Sequence, residues 1–286
     1  MYICKMNFFK KILNFYIFGN IHVALAGFSL TKITLLKFGV VDNLPPVFVA
    51  LSIIISYNFI RFLEIKENSL NWFKNWFFEH KKALGLLLLL SIILLIDITF
   101  FSKFNLKAIL VLLPFAFMTF FYVVPLLKIG KIEVSFRNFP SIKIVSIAIA
   151  WAGITVLFPL YEANYEFTSN VYIEFLQRFF ILVAITLPFD IRDVDFDPKS
   201  LKTLPQILGV TNSKIIGYIL LFLFVCLEFF KINYTVADTY LLVGLSFVTA
   251  LFLGFSSPKR TRYYTSFWVE AIPILWFILI VIFLKN

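Results

Sequence analysis

An all-α bundle of about nine membrane-spanning helices is the fold this sequence predicts, and three observations predict it. Hydrophobic residues occupy 61% of the 286 positions and charged residues only 15%, whereas soluble domains run nearer half apolar and a quarter charged. Mean hydropathy is +0.93. The apolar residues fall in runs near the length of about 20 that crosses a hydrocarbon core, and most of the lysines and arginines fall between the runs. No soluble core of this size buries so much apolar surface, so a single polytopic membrane domain over residues 1–286 is expected.

The runs, in order, are Leu13 to Leu36, Pro46 to Leu63, Ala83 to Phe101, Ala108 to Leu127, Ile142 to Leu160, Ile173 to Ile191, Ile215 to Phe230, Val236 to Phe255 and Ser266 to Leu284. The first carries Asn14, Asn20, His22 and Lys32 and is the least regular. The second leads into a long connection, Glu64 to Lys82, where Trp72, Phe73, Trp76 and Phe77 recur at helical spacing with Lys74, Asn75 and Glu79 turned away. That pattern suits a short amphipathic helix at the interface, an aromatic belt or a lid over the mouth of the bundle. Tyr122-x-x-Pro125-x-x-Lys128 closes the fourth run, and Arg137 to Lys143 reads as loop leading to Trp151 and Pro159. The sixth run ends in an acidic stretch and a second long connection, Arg192 to Lys214. Arg178, Asp97 and Glu228 fall at the outer ends of their runs, where hydration is expected. Glu270, near the start of the ninth, is an ionisable group at membrane depth and is read as facing a central cavity.

The net charge of +10 would suggest nucleic acid in a soluble protein. Here it is an orientation signal, and no nucleic-acid partner is expected. Lys5, Lys10, Lys11, Arg61, Lys66, Lys74, Lys81, Lys82, Lys128, Lys131, Arg137, Lys143, Arg192, Lys199, Lys202, Lys214, Lys259, Arg260 and Arg262 fall on one side of the alternating spans. Only Lys32, Lys37, Lys103, Lys107, Arg178, Lys231 and Lys285 fall on the other. The positive-inside rule puts the N-terminus and the acidic stretch in the cytoplasm, and nine spans put the C-terminus opposite. Cys4 and Cys226 have no disulfide or metal spacing, and residues 1–19 lack the pattern of a cleavable signal peptide.

The acidic stretch carries the chemistry. Asp190, Asp193 and Asp197 are spaced i, i+3, i+7 and share one face if the helix continues through them. Carboxylates so placed repel unless a cation lies between them. Mg²⁺ suits that role, because it takes one or two carboxylates and completes its shell with water and phosphate oxygens. Lys199 and Lys202 follow, and the whole reads as a diphosphate site or, more plainly, as a solvated helix end.

Asp190-x-x-Asp193-x-x-x-Asp197, followed by Lys199, Lys202-Thr203-Leu204-Pro205 and Leu208-Gly209, resembles the second aspartate-rich motif of the UbiA superfamily of intramembrane prenyltransferases. Tyr122, Pro125 and Lys128 are similar to residues closing that family's fourth helix, and the two long connections fall where it carries its caps. The resemblance implies a UbiA-like bundle that transfers an isoprenyl group from an isoprenyl diphosphate to an aromatic or other lipophilic acceptor, with Mg²⁺. Asp190, Asp193 and Asp197 would be the catalytic and metal-binding residues.

The family's first aspartate-rich motif is degenerate here. Its place reads Tyr57-Asn58-Phe59-Ile60-Arg61-Phe62-Leu63-Glu64-Ile65-Lys66-Glu67, and neither register of Asn58 restores the acids. Glu64 is left as a shifted metal ligand. Arg61 is left to hold phosphate directly and bidentately, with Asn58, Lys199, Lys202, Tyr122 and Lys128 as further diphosphate contacts. Two alternatives stand beside the enzyme: a catalytically impaired UbiA-fold protein that binds a membrane lipid or acts as a scaffold, and a small-solute transporter.

Overall fold

The computed structural model describes the backbone of residues 2–67, 71–102, 104–123, 127–129, 132–134, 142–197, 199–232 and 234–283. It describes the side chains of these except 2–7, 64–67, 71–72, 119–123, 127–129, 132–134, 142 and 200. The chain is helical nearly throughout: α1 Tyr2–Phe18, α2 Ile21–Lys37, α3 Leu44–Glu67, α4 Asn71–Phe101, α5 Ala108–Val123, α6 Ile142–Ala152, α7 Phe158–Glu162, α8 Ser169–Arg192, α9 Leu204–Cys226, α10 Val236–Gly254 and α11 Ile272–Phe283. A short antiparallel hairpin, Leu127–Ile129 with Ile132–Val134, follows α5. π-helical turns join α6 to α7 (Gly153–Leu157) and precede α11 (Tyr264–Val269).

Seven helical segments are long and apolar enough to cross a membrane, or eight if the bent α1–α2 pair counts as one span. This makes the protein a multi-pass helical membrane protein. The expected first span is instead a bent helix pair, the form of either a broken span or a re-entrant loop. Phe8–Phe18 and Ile21–Lys37 meet at 54°, and Asn20 turns the corner with φ 66°, in the left-handed region that Asn tolerates better than most residues. The expected fourth span is described as an apolar helix only over Ala108–Met118, shorter than a bilayer crossing.

The aromatic cluster before the third expected span is not a separate interfacial helix. It is the first turns of α4, 31 residues long and about 46 Å at 1.5 Å per residue. Trp76 is buried there against Ile17, Phe18 and Leu84, so this end of α4 clamps α1. The side chain of Trp72 lies outside the described residues.

Helix α8 is the central strut. It packs on α6, α9 and α10, and its Ile181, Ala184, Leu187 and Ile191 lie in the main core with Leu30, Ala148, Leu221, Leu245 and Trp276. A second core joins α2, α3, α4, α5 and α7 around Val49, Phe48 and Phe158. Small residues allow the closest crossings, as in membrane bundles generally. A Cβ on Gly153 would lie 2.0 Å from the Phe115 ring of α5, and one on Gly27 would lie 2.1 Å from Ile53 of α3.

Near the start of α8 the bundle closes on a buried charge network. Glu174 binds Arg178 (3.0 Å), Lys37 (3.0 Å) and Lys231 (2.8 Å), and Glu228 shares Lys231 (2.8 Å). Arg178 also donates to the Leu30 carbonyl and to Thr34 and lies over the Trp276 ring. The expectation that Arg178 and Glu228 are hydrated is therefore corrected: their exposures are 0% and 2%. Each charge has an opposite charge within reach, which is what lets it leave water.

Candidate functional site

A cavity of about 370 Å³ opens inside the bundle at the other end of α8. Five segments line it, each along one helical face: Val23, Ala26 and Leu30 of α2; Tyr57, Ile60 and Arg61 of α3; Lys143, Ser146, Ile147, Ala150 and Trp151 of α6; Leu182, Ile185, Thr186, Phe189, Asp190, Arg192 and Asp193 at the end of α8; and Ser266, Glu270 and Pro273 of the last span. Met118 of α5 adds to the wall. The result is an apolar chamber with aromatic faces and six charged side chains, Arg61, Lys143, Arg192, Asp190, Asp193 and Glu270.

The acidic stretch does not continue as helix. Helix α8 ends at Arg192, and the chain turns so that the Asp197 N–H donates to the Asp193 carbonyl at 2.7 Å. Asp190 and Asp197 still converge, and what they converge on is Lys143: its Nζ is 2.9 Å from Asp190 and 3.2 Å from Asp197. Asp193 is instead gripped by its neighbour, Arg192 donating from Nε (2.7 Å) and Nη2 (2.6 Å). The other arm of Arg192 donates to Thr265, tying the acidic stretch to the π-helical turn before α11. Arg61 donates to the Phe18 carbonyl at 3.0 Å and lies over the Phe73 ring.

The carboxylate oxygens of these residues are donors of the kind magnesium takes. Two carboxylates already share one cationic position, filled by the Lys143 ammonium, and a third lies on the cavity wall. Among the described residues no three His, Cys, Asp or Glu side chains gather closely enough for an all-protein cage. An ion here would rest on one or two carboxylates, as magnesium commonly does at phosphate sites.

Other expected contacts lie elsewhere. Asn58 is buried away from the cavity, donating to the carbonyls of Gly19 (3.2 Å) and Ile54 (2.8 Å), so it joins α3 to the α1–α2 corner. Lys199 and Lys202 are exposed and do not line the cavity. Beside them Thr203 and Gln206 form a capping box that starts α9, and the Gln206 amide holds the Asp197 carbonyl at 2.9 Å. The side chains of Glu64, Tyr122 and Lys128 lie outside the described residues.

Glu270 lines the cavity as expected. Lys143 and Arg192 were legible only as orientation charges. A signal for Lys143 existed in the i, i+4, i+7, i+8 spacing of Lys143, Ile147, Ala150 and Trp151, but nothing local linked it to acids 47 and 54 positions away.

Comparison of the chain with protein-family models, with curated proteins and with solved structures found no match in any of the three. What fold and site define is a multi-pass helical membrane protein with an amphipathic, charge-lined cavity.

Proposed function

We propose that the chain is a UbiA-like intramembrane prenyltransferase that takes an isoprenyl diphosphate and a lipophilic acceptor into this cavity. The observation that carries the reading is the cavity's division of labour: Trp151, Tyr57, Phe189, Leu182 and Ile185 supply apolar wall, while Arg61, Lys143 and Arg192 stand among Asp190 and Asp193. An isoprenyl diphosphate is the ligand class with that polarity, a long apolar tail on a strongly anionic head. Apolar pockets with a few placed polar groups are the ordinary form of such sites.

Arg61 and Arg192 would hold phosphate oxygens as planar donors and Lys143 as a point charge. The aromatic walls would exclude water and face the positive charge that develops on the allylic carbon. Asp190 and Asp193 are the residues that would hold Mg²⁺, with Asp197 supporting through Lys143. When bound, the ion neutralises charge on the leaving diphosphate. Lys143 and Arg192 replace the exposed Lys199 and Lys202 as the basic partners.

The same reading includes a nine-pass topology, with the α1–α2 pair and α5 each counted as a crossing, the N-terminus cytoplasmic and the C-terminus opposite. Its test is binding of labelled farnesyl diphosphate to the protein in nanodiscs, with and without Mg²⁺. Binding that strengthens with Mg²⁺ and falls at least tenfold in Asp190→Ala/Asp193→Ala supports it, and indifference to both sinks it.

One observation favours a second reading. Lys143 already neutralises Asp190 and Asp197, so a non-catalytic protein would hold an anionic lipid headgroup here without a metal. That reading expects phosphate-lipid binding that ignores Mg²⁺ and is lost in Arg61→Ala.

A further inference from the structure

We propose that the groove at the end of α10 seats an anionic diacyl phospholipid, with an acyl chain along the helix and the phosphate on Arg260 and Lys214. The inference is independent of the prenyl-transfer reading and concerns the outer wall of the bundle.

The groove has a volume of about 300 Å³ and is lined by Val248, Leu251, Phe252 and Phe255, with Arg260 and Tyr264 closing one end. The four apolar residues are spaced i, i+3, i+4, i+7 and so share one helical face. That face looks outward: Leu251 is 43% exposed and Phe255 61%, at the end of a helix, Val236–Gly254, long and apolar enough to cross a membrane.

The polar end of the groove is built by the last turn of α10. A helix end leaves its final carbonyls without intrahelical donors, and here side chains from other segments take them up. Lys214 of α9 donates to the Gly254 carbonyl (2.7 Å), Arg260 donates from Nε to the Phe255 carbonyl (2.8 Å), and the Tyr264 hydroxyl donates to the Phe252 carbonyl. Arg260 also lies over the Tyr264 ring, 5.0 Å from its centroid.

Two cations are thereby fixed on neighbouring carbonyls, close enough to repel one another. Neither forms an ion pair with a carboxylate among the described residues, and nor does the exposed Lys259 beside them. Lys37, Lys143, Arg178, Arg192 and Lys231, inside the bundle, each have one. The negative end of a helix dipole draws a cation, which accounts for one such contact. A second like charge on the adjacent carbonyl adds repulsion that a bound anion relieves. The Nη groups of Arg260 and the remaining N–H donors of Lys214 have no other partner among the described residues.

The occupant follows from the juxtaposition. Arg260 stands in the connection between Val236–Gly254 and Tyr264–Phe283, at headgroup depth, and the groove runs from it toward the hydrocarbon. Free phosphate or an acidic protein segment would use the cations and leave Val248, Leu251 and Phe255 uncovered. A phospholipid uses both. Basic pockets at the ends of membrane helices hold anionic headgroups, and membrane binding grows with apolar contact as well as charge. Seated there, the lipid joins α9, the end of α10 and the π-helical turn that begins at Tyr264.

The test is native mass spectrometry of the full-length protein, titrated in detergent with dioleoyl phosphatidylglycerol or dioleoyl phosphatidylcholine. Phosphatidylglycerol should bind about tenfold more tightly or better. Lys214→Gln/Arg260→Gln should cut that preference to within about twofold, whereas Lys81→Gln/Lys82→Gln, the same change of charge at two exposed positions, should keep it. Leu251→Trp, which fills the groove and spares the charges, should weaken phosphatidylglycerol binding at least about fivefold. No preference in wild type, a preference retained in Lys214→Gln/Arg260→Gln, or equal loss in both double variants overturns the proposal. So does wild-type binding by Leu251→Trp, which decides alone if the double variant fails to fold. Glycerol phosphate bound as tightly as the lipid would make this a plain anion site, and a lipid-free dimer dispersed by Leu251→Trp would make it a contact between copies. Either result overturns the lipid assignment.

Discussion

Lys143 does at residue scale what an ion was expected to do. Its ammonium lies between Asp190, 2% exposed, and Asp197. Lys143→Met would leave a buried carboxylate without its counter-charge, a change of about 3–5 kcal/mol in comparable buried pairs. The expected outcome is a large fall in thermal midpoint, partly restored by millimolar Mg²⁺ in Lys143→Met but not in Lys143→Met/Asp190→Asn; a thermal-shift titration measures both. Asn58 makes the complementary case. Its amide holds carbonyls at a helix corner, so Asn58→Ala should cost about 1–3 kcal/mol by stranding a buried acceptor while leaving farnesyl diphosphate affinity within about twofold. A tenfold or larger loss of affinity in a folded Asn58→Ala protein would return Asn58 to the site.

At the scale of elements, the charge network near the start of α8 binds α2, α8 and the chain after α9 into one unit. Glu174 serves three cations there. Glu174→Gln should therefore destabilise by about 3–5 kcal/mol, read as a lower midpoint in detergent with the far cavity unchanged. Burial pulls the Lys231 ammonium down, but Glu174 and Glu228 outweigh it and hold the group above its ordinary value. A raised cation contributes stability that is complete below its unfolded value of about 10.4 and lost as pH climbs through the folded value. The alkaline unfolding limb should accordingly shift to lower pH in Glu228→Gln.

At the scale of the whole molecule, α8 separates two charged ends. Asp190 lies 16 residues beyond Glu174, about 24 Å along a helix, with the cavity at one end and the sealed network at the other. Reporters fused at the two termini should fall on opposite sides of the membrane if the α1–α2 pair and α5 both cross. Reporters on the same side would leave eight crossings.

Composition and the spacing of apolar runs determined on their own that this chain is a helical membrane protein, because the demand for about 20 apolar residues per crossing and for internally satisfied backbone is local. The acidic stretch and Glu270 were legible for the same reason, as ionisable groups out of place in an apolar run. Tertiary structure decided their partners. Lys143 reaches Asp190 from another helix, Arg192 joins Asp193 to a turn 73 positions on, and Asn58 serves a corner made by Asn20. Arg178 and Glu228 are buried because helices distant in sequence bring them charges. Pairing across a bundle depends on which helix faces meet, and no single run of sequence carries that information.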